Sequence, residues 1–111
     1  MSGGLVVNED NSREVSAGML AAYARALEKV GLAAEGYAKS LCPVDTGRLR
    51  NSITHQVSAE ELAAVIGTNV EYGPYVELGT SAHKAQPFLT PAAQNHGSEY
   101  RAILESELKN G

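Results

Sequence analysis

Tryptophan is absent from this 111-residue sequence, and phenylalanine and cysteine occur once each. The single thiol of Cys42 excludes an internal disulfide and a metal site built from several cysteines. Its neighbours Leu41 and Pro43 favour a small buried side chain over a reactive one. The aromatic part of a core must therefore come mainly from the five tyrosines.

Long apolar runs and blocks of like charge are also missing. No segment approaches the length that spans a bilayer, and the N-terminus lacks the charged region and apolar run of a signal peptide. We therefore expect a soluble protein, made in a reducing compartment, that does not associate with membranes. The net charge of −4 argues weakly against nucleic-acid binding, because a phosphate-binding surface needs clustered Lys and Arg.

The length corresponds to one domain, with room for a core that needs no disulfides. Residues 1–11 mix glycine, polar and acidic residues around Leu5, Val6 and Val7, a composition that fits a short edge strand or a loose arm. We expect a flexible N-terminal arm at 1–11 and a single α+β domain at 12–111.

A long helix is the clearest predicted element. Asn11 or Ser12 can cap its N-terminus, and Pro43 ends it, because the residue before a proline is disfavoured in the helical conformation. Between them, apolar residues recur every three or four positions and form one continuous helical face. These residues are Val15, Met19, Tyr23, Leu27, Val30, Ala34, Tyr37 and Leu41.

After a linker at 43–52 the apolar period changes to two, which predicts β-strands. The first strand covers 53–57, and the second covers 62–70 and is rich in β-branched residues. A third strand is predicted at 72–78, where Pro74 would lie at the strand start or at a sheet edge.

Residues 79–87 show no periodicity and are predicted to form a loop. Thr90 and Pro91 then open a second helix, with Thr90 as its cap and Pro91 at the first helical position. The apolar stripe of this helix is formed by Ala92, His96, Tyr100, Ile103, Leu104 and Leu108.

The expected fold is therefore α+β. It contains a long N-terminal helix, an antiparallel sheet of three to four strands and a C-terminal helix. Short connections between consecutive strands favour antiparallel pairing. We expect the helices to pack on one face of the sheet.

The tripeptide Asp45-Thr46-Gly47 matches the catalytic loop of retroviral-type aspartic proteases, homodimers in which two aspartates share a proton. Residues 65–69 also resemble the strand that supports that loop. Those proteases are almost entirely β, however, and a small residue follows their catalytic glycine, whereas Arg48 stands here after a long helical pattern. The simpler interpretation is a turn that Asp45 and Thr46 cap, with Gly47 supplying backbone freedom.

Other chemistry has little support in the sequence. His55, His83 and His96 lack the spacing of a metal site, and no phosphate loop, dinucleotide fingerprint or nucleophile elbow is present. We therefore expect no enzymatic activity, no cofactor and no metal.

The remaining features fit an interaction surface. The 79–87 loop is long for a small domain, although it could equally be an ordinary solvated connection. Tyrosine and arginine are favoured at protein interfaces, and Glu71 or Glu77 could pair with the linker arginines. The residues predicted to contact other subunits or partners are Arg48, Arg50, Tyr72, Tyr75, Glu77, Thr80, His83, Lys84 and Gln86.

Three segments taken together resemble one protein family. They are Pro-Val-Asp-Thr-Gly-Arg-Leu-Arg-Asn-Ser-Ile at 43–53, Gly-Thr-Asn-Val-Glu-Tyr-Gly-Pro-Tyr-Val-Glu-Leu-Gly-Thr at 67–80, and Ala-Gln-Pro-Phe-Leu-Thr-Pro-Ala at 85–92. In this order and spacing the chain is similar to the tail-component, or neck-protein, family of long-tailed lambdoid phages and prophages. Gly73, where alanine is common, and Leu78, where an aromatic residue is common, are mild departures.

The resemblance implies a virion structural protein of the neck or tail that acts in head–tail joining or tail completion. It implies an α+β fold without enzymatic activity or cofactor, and a homo-oligomeric ring around the DNA channel. A monomer in solution is compatible with such a ring. The expected partners are other phage neck and tail proteins, and DNA would pass through the lumen without sequence-specific binding.

The implied location is the virion, and the bacterial host cytoplasm before assembly. Two alternatives stay open from the residues themselves. One is a generic α+β protein-binding module, and the other is the homodimeric aspartic protease that uses Asp45.

Overall fold

The computed structural model describes residues 4–8, 17–43, 47–58 and 60–110, with only the main chain described at 4–8, 17 and 110. Along the chain, one strand is followed by two helices, two strands and three helices, an order that fits an α+β protein. They are β1 (Gly4–Asn8), α1 (Ala17–Leu41), α2 (Arg48–Ser52), β2 (Thr54–Ser58), β3 (Ala63–Gly67), α3 (Gly73–Leu78), α4 (Leu89–Gln94) and α5 (Gly97–Asn110).

The sheet is antiparallel, with β3 between β1 and β2. Val65 at the centre of β3 is paired with Val6 on one side and Gln56 on the other. The α+β class, the long N-terminal helix, the antiparallel pairing and the C-terminal helix are therefore confirmed.

The predicted strand composition of the sheet is wrong. Two of the predicted strands, at 53–57 and 62–70, form the β2–β3 hairpin. The predicted sheet of three to four consecutive strands is not supported. The third member of the sheet is β1 at residues 4–8, where the sequence left an edge strand and a loose arm open. The division into an arm at 1–11 and a domain at 12–111 stays a prediction, and residues 9–11 lie outside the described part of the chain.

The α1 helix supplies one side of the core through a face made largely of alanine. The buried residues on this face are Ala22, Tyr23, Ala26, Leu27, Val30, Ala34 and Ala38. The small side chains let α1 approach β2, β3 and α4 closely, and all three contact it. The centre of the predicted apolar stripe is confirmed, whereas Met19 and Leu41 are each 47 % exposed, and Val15 lies outside the described residues.

The predicted linker at 43–52 contains the short helix α2. Gly47 precedes α2 with a φ of 80°, a left-handed conformation that favours glycine because other residues carry a Cβ. This agrees with the backbone freedom predicted for Gly47, whereas the predicted caps Asp45 and Thr46 lie outside the described residues. The hydroxyl of Ser52 donates to the carbonyl oxygen of Leu49 at 2.6 Å and closes the helix.

The segment predicted as the third strand is helix α3. Pro74 lies in the first turn of α3, where its missing N–H is not needed for an intrahelical bond. The burial also differs from that of a strand, which would place Tyr75 and Glu77 on one face, because Tyr75 is 63 % exposed and Glu77 is only 9 % exposed. In a helical turn, residues two positions apart lie on different sides of the segment.

The predicted second helix is interrupted at Asn95 and His96, between α4 and α5. The hydroxyl of Tyr100 on α5 donates to the carbonyl oxygen of Ala92 on α4, which fixes the angle between the two helices. The imidazole of His96 stacks on the ring of Tyr37, with a centroid distance of 3.6 Å.

The C-terminal helix α5 packs mainly against α1 instead of against the sheet. Arg25 and Lys29 of α1 form ion pairs with Glu107 of α5, and the hydroxyl of Tyr37 donates to Glu99. The expectation that both helices cover one sheet face is therefore corrected: α1 lies on the sheet, and α5 lies on α1. Among the described residues, no helix is long and apolar enough to cross a membrane.

Candidate functional site

An open cleft of about 250 Å³ lies where the end of α1 meets α3 and the loop that follows it. It lies beyond the end of the hairpin at which β2 begins and β3 ends, because α2 leads into β2 and α3 follows β3. The cleft is lined by Pro43, Tyr72, Tyr75, Val76, Thr80, His83, Lys84 and Gln86. Among these described residues, two are tyrosines, one is a lysine and none carries a carboxylate.

The loop wall of the cleft is shaped by its own hydrogen bonds. The hydroxyl of Thr80 accepts bonds from the main-chain N–H groups of Ala82 (3.1 Å) and His83 (3.0 Å). The N–H of Thr80 donates to the carbonyl oxygen of His83, and the N–H of Gln86 donates to that of Val76. This local turn displays the His83 and Lys84 side chains at the surface.

Gly79 allows the two ends of the loop to meet. Its φ is 81°, and a Cβ at this position would lie 2.8 Å from the main-chain nitrogen of Ala85. Any larger residue would therefore be strained by conformation and would collide with the returning chain. The predicted loop at 79–87 is confirmed, and it is closed tightly at its base.

Glu77 lies behind the cleft and supports it. Its carboxylate accepts hydrogen bonds from the N–H groups of Phe88 (3.0 Å), Leu89 (2.8 Å) and Thr90 (3.0 Å). These groups lie at the N-terminus of α4, where N–H groups have no intrahelical partner and a negative charge suits the helix dipole.

The pKa of Glu77 reflects this arrangement. Burial alone would raise it, but the hydrogen bonds from Leu89, Phe88 and Thr90 outweigh burial and lower the pKa from its ordinary value. Glu77 therefore stays ionised and caps α4, a role that the sequence assigned to Thr90. Its predicted contact with another subunit is not supported by its position, because the carboxylate is buried and occupied.

Two exposed apolar side chains stand on α3, the helix that contributes Tyr75 and Val76 to the cleft. Tyr75 is 63 % exposed and Leu78 is 78 % exposed. Large apolar residues this exposed and close together commonly mark an interaction site. Tyr75 was among the predicted contact residues. Leu78 was not, because a strand would place it on the same face as Val76.

Arg48 extends the site toward α2. Its guanidinium carbon lies 5.6 Å from the centroid of the Tyr72 ring, a distance typical of a cation–π contact. It also pairs with Glu71 at 3.3 Å, as the sequence predicted for a linker arginine. Arg50 on α2 is exposed and does not line the cleft.

The structure therefore brings together most of the predicted contact residues. Tyr72, Tyr75, Thr80, His83, Lys84 and Gln86 line one cleft, and Arg48 touches it through Tyr72. Pro43 and Val76 were not predicted to line the cleft. Their only signals in the sequence were the helix-ending proline and an apolar residue directly after Tyr75. That any of these residues contacts another protein stays a prediction.

A second polar cluster lies between α1 and β2. The two ring nitrogens of His55 lie 2.7 Å from Glu35 and 2.6 Å from Glu28. Gly31 lies between these glutamates on α1, and a Cβ there would be 2.6 Å from the His55 ring. Burial alone would lower the pKa of His55, but hydrogen bonds and charge from Glu28 and Glu35 outweigh it, so the pKa is raised.

This cluster joins the helix to the sheet. Within the described part of the chain, no group of three or more His, Cys, Asp or Glu side chains could hold a metal ion. The expectation that no metal or cofactor binds stays a prediction.

The Cys42 thiol is buried, and burial raises its pKa, which agrees with its interpretation as a small buried side chain.

Comparison with known proteins places this architecture in a family. Residues 9–79 match the family described as "Bacteriophage HK97-gp10, putative tail-component". This chain belongs to the HK97-gp10-like family. The match covers more than half of the sequence and confirms the resemblance on which the phage assignment rested. No curated protein and no solved structure matches the chain.

The family match includes α1, α2, the β2–β3 hairpin and α3 of this HK97-gp10-like chain, and it ends where the 79–87 loop begins. It indicates a phage tail component, and hence a virion protein with a structural role. The α+β fold with a 25-residue helix also differs from the almost entirely β fold of the aspartic proteases. Asp45 itself lies outside the described residues.

Proposed function

We propose that this HK97-gp10-like protein is a neck or tail subunit of the virion that acts in head–tail joining or tail completion. It does so as a ring of copies around the DNA channel, in contact with other neck and tail proteins. The observation that carries the proposal is the cleft, together with the exposed Tyr75 and Leu78 of α3, in a chain of a phage tail-component family.

The composition of the cleft supports contact with another protein over catalysis. Its volume of about 250 Å³ is below the ~300–1,000 Å³ typical of small-molecule sites. Tyrosine anchors surrounded by polar and cationic groups are typical of protein interfaces. The exposed Leu78 of α3 adds apolar area that an assembled particle would bury.

The charge of the subunit fits a channel through which DNA moves. With a net charge of −4 for each subunit, an assembled ring of these copies is acidic as a whole. A lumen lined by acidic side chains would repel phosphate and let DNA pass without binding it. A ring whose lumen is basic would contradict this part of the proposal.

The decisive experiment is electron microscopy of particles from a strain that lacks the gene. Separate full heads and complete tails would indicate joining, whereas tails of abnormal length or with unfinished ends would indicate completion. Normal infectious particles would show that the proposed function is wrong. The genes for portal, capsid and tail proteins should also flank this gene, which a generic binding module would not require.

Deleting residues 81–84 tests the loop. The deletion joins Thr80 to Ala85, and it preserves the base of the loop because Gly79 already lies against Ala85. We expect a folded subunit with unchanged circular dichroism that fails to support particle formation. Normal particle yield from this deletion would exclude a role for the loop.

A further inference from the structure

The cleft and the β2–β3 turn lie at opposite ends of the hairpin. The chain enters β2 directly from α2 and leaves β3 toward α3, so the described turn residues 60–62 are separated from both helices by the length of one hairpin strand. The molecule is elongated, with a longest extent of 50 Å. The two features are therefore available to two different neighbours at the same time.

The turn presents two adjacent carboxylates. Glu60 and Glu61 are both exposed, and neither forms an ion pair with another residue that the structure describes. By contrast, Glu35, Glu71 and Glu107 each pair with a lysine or arginine. The turn thus carries negative charge that is not neutralised within the described part of the subunit.

Residues 60–62 of the turn are held by local contacts. Leu62 has a φ of 52°, which is uncommon for a residue with a branched side chain. Its side chain packs against the core, and the N–H of Glu61 donates to the hydroxyl of Ser58 at 3.3 Å. The strained conformation is kept by these contacts and directs the two preceding glutamates outward.

The cleft has the opposite character. Lys84 is exposed and forms no ion pair with a described residue. His83 lies beside it, and none of the described residues that line the cleft carries a carboxylate. The aromatic rings of Tyr72 and Tyr75 supply apolar area for the aliphatic part of a glutamate side chain.

We propose that the β2–β3 turn of one copy docks in the cleft of the next copy, with Glu60 and Glu61 facing Lys84 and His83. This inference rests on the proposed ring and names its subunit contact. The two surfaces differ and lie at opposite ends of the hairpin, so the contact is head-to-tail. Repeated around an axis, a head-to-tail contact closes into a ring, and the charge pairing fixes which end meets which.

Cysteine cross-linking in assembled particles tests the contact directly. The Glu61→Cys/Lys84→Cys double variant places a thiol on each surface, and the native Cys42 is buried. Mild oxidation of particles that contain the double variant should give a ladder of cross-linked multimers. Each single variant should stay monomeric on the gel, because a head-to-tail contact never brings two identical surfaces together. A double variant that is present in particles and stays monomeric would overturn the proposal.

Charge reversal tests the pairing in a second way. We expect Lys84→Glu and Glu61→Lys each to lower the yield of infectious particles by about tenfold or more, because like charges then meet at the contact. The Lys84→Glu/Glu61→Lys double variant should recover most of the wild-type yield. Lys109→Glu and Glu105→Lys are matched controls on exposed positions of α5, and they should leave the yield unchanged.

The outcomes separate this inference from the function on which it rests. Normal particles from a strain without the gene would refute the proposed function. Defective particles from that strain, together with full complementation by Lys84→Glu, would refute only the docking assignment. A defect in Lys84→Glu that Glu61→Lys does not relieve would mean that the cleft receives another protein, which also overturns it.

Discussion

The α1 helix and the segment 68–90 are stabilised in different ways. The α1 helix is held by a continuous apolar face that includes Leu27 and Val30, both 1 % exposed. In the segment 68–90, side chains such as Thr68, Glu77 and Thr80 accept hydrogen bonds from main-chain N–H groups. Burial tolerates moderate changes of shape, whereas a buried acceptor that serves several donors cannot be replaced without loss.

The difference places the candidate site on the part of the molecule with polar support. The cleft lies between α3 and the loop, and Glu77 connects α3 to α4 beneath it. An interaction surface needs exposed apolar and charged side chains, and burial in the core cannot hold side chains that stay exposed. Hydrogen bonds to the main chain can fix the backbone that carries these side chains and leave them accessible. Substitutions in the two regions should therefore differ in their effects.

Replacing Glu77 should destabilise the protein most. Glu77→Ala leaves the N–H groups of Phe88, Leu89 and Thr90 without their acceptor, and we expect a loss of about 3–5 kcal/mol in unfolding free energy. Glu77→Gln keeps one acceptor oxygen and should lose about 1–3 kcal/mol. Urea denaturation followed by circular dichroism measures both, with the exposed Glu105→Ala as control. Equal stability of all three variants would show that Glu77 does not stabilise α4.

Two glycines in α1 should respond in opposite directions. A Cβ at Gly31 would lie 2.6 Å from the His55 ring, so Gly31→Ala should destabilise by about 1–3 kcal/mol. A Cβ added at Gly36 would meet nothing within 4 Å, and Gly36→Ala should stabilise by about 0.5–1 kcal/mol. Thermal unfolding of the pair compares them directly. A stabilising Gly31→Ala would mean that α1 and β2 are further apart than described.

The pH dependence of stability should report the His55 cluster. The pKa of His55 is raised in the folded protein, so its protonated ring stabilises the fold. This stabilisation is fully present below pH 6.5, the ordinary pKa of histidine, and is lost as the pH rises through the folded pKa. Burial alone would raise the pKa of Glu35, but hydrogen bonds to His55 and Lys39 outweigh burial and lower it. Ionised Glu35 therefore stabilises the fold above pH 4.5, and this contribution is lost in acid. Unfolding free energy should therefore be highest between these values and should fall toward pH 8.

His55→Gln is the matched variant for this measurement. It should reduce the fall in stability above pH 6.5, because the imidazole whose pKa folding raises is gone. The slope below pH 4.5 should persist through Glu77, whose lowered pKa is independent of His55. An unchanged alkaline slope in His55→Gln would assign the titration to another group.

The smallest effect on stability is expected at the exposed Leu78 of α3. Leu78→Ala should change the unfolding free energy by no more than about 0.5 kcal/mol, because the side chain is 78 % exposed. Leu89→Ala is the buried counterpart and should cost about 2–5 kcal/mol. Only Leu78→Ala should lower the yield of particles while leaving the purified subunit as stable as the wild type. A normal yield would separate Leu78 from the interface.

Much of the fold follows from local patterns in the sequence. The spacing of apolar residues predicted α1, and Pro43 predicted its end within two residues of Leu41. The alternation around His55 and Val57 predicted β2, and the left-handed Gly47 explains how the chain turns into α2. Each signal lies in residues that are close in sequence, so it can be read without knowledge of the rest of the chain.

The candidate site was predictable in part. Tyrosines near a long loop indicated an interaction surface, and the cleft brings Tyr72, Tyr75 and Lys84 together. Glu77 was misplaced because a short segment with alternating polarity fits a strand as well as a helical turn. Leu78 was missed for the same reason, since the direction of its side chain depends on that choice.

The sequence by itself determined the long helix, its end and the two strands of the hairpin, because apolar periodicity and proline act on neighbouring residues. Only the tertiary structure decided that residues 73–78 are helical and that Glu77 faces inward. The donors that stabilise its carboxylate lie 11 to 13 residues further along the chain. Their approach depends on packing that no local pattern encodes, and the same packing creates the cleft.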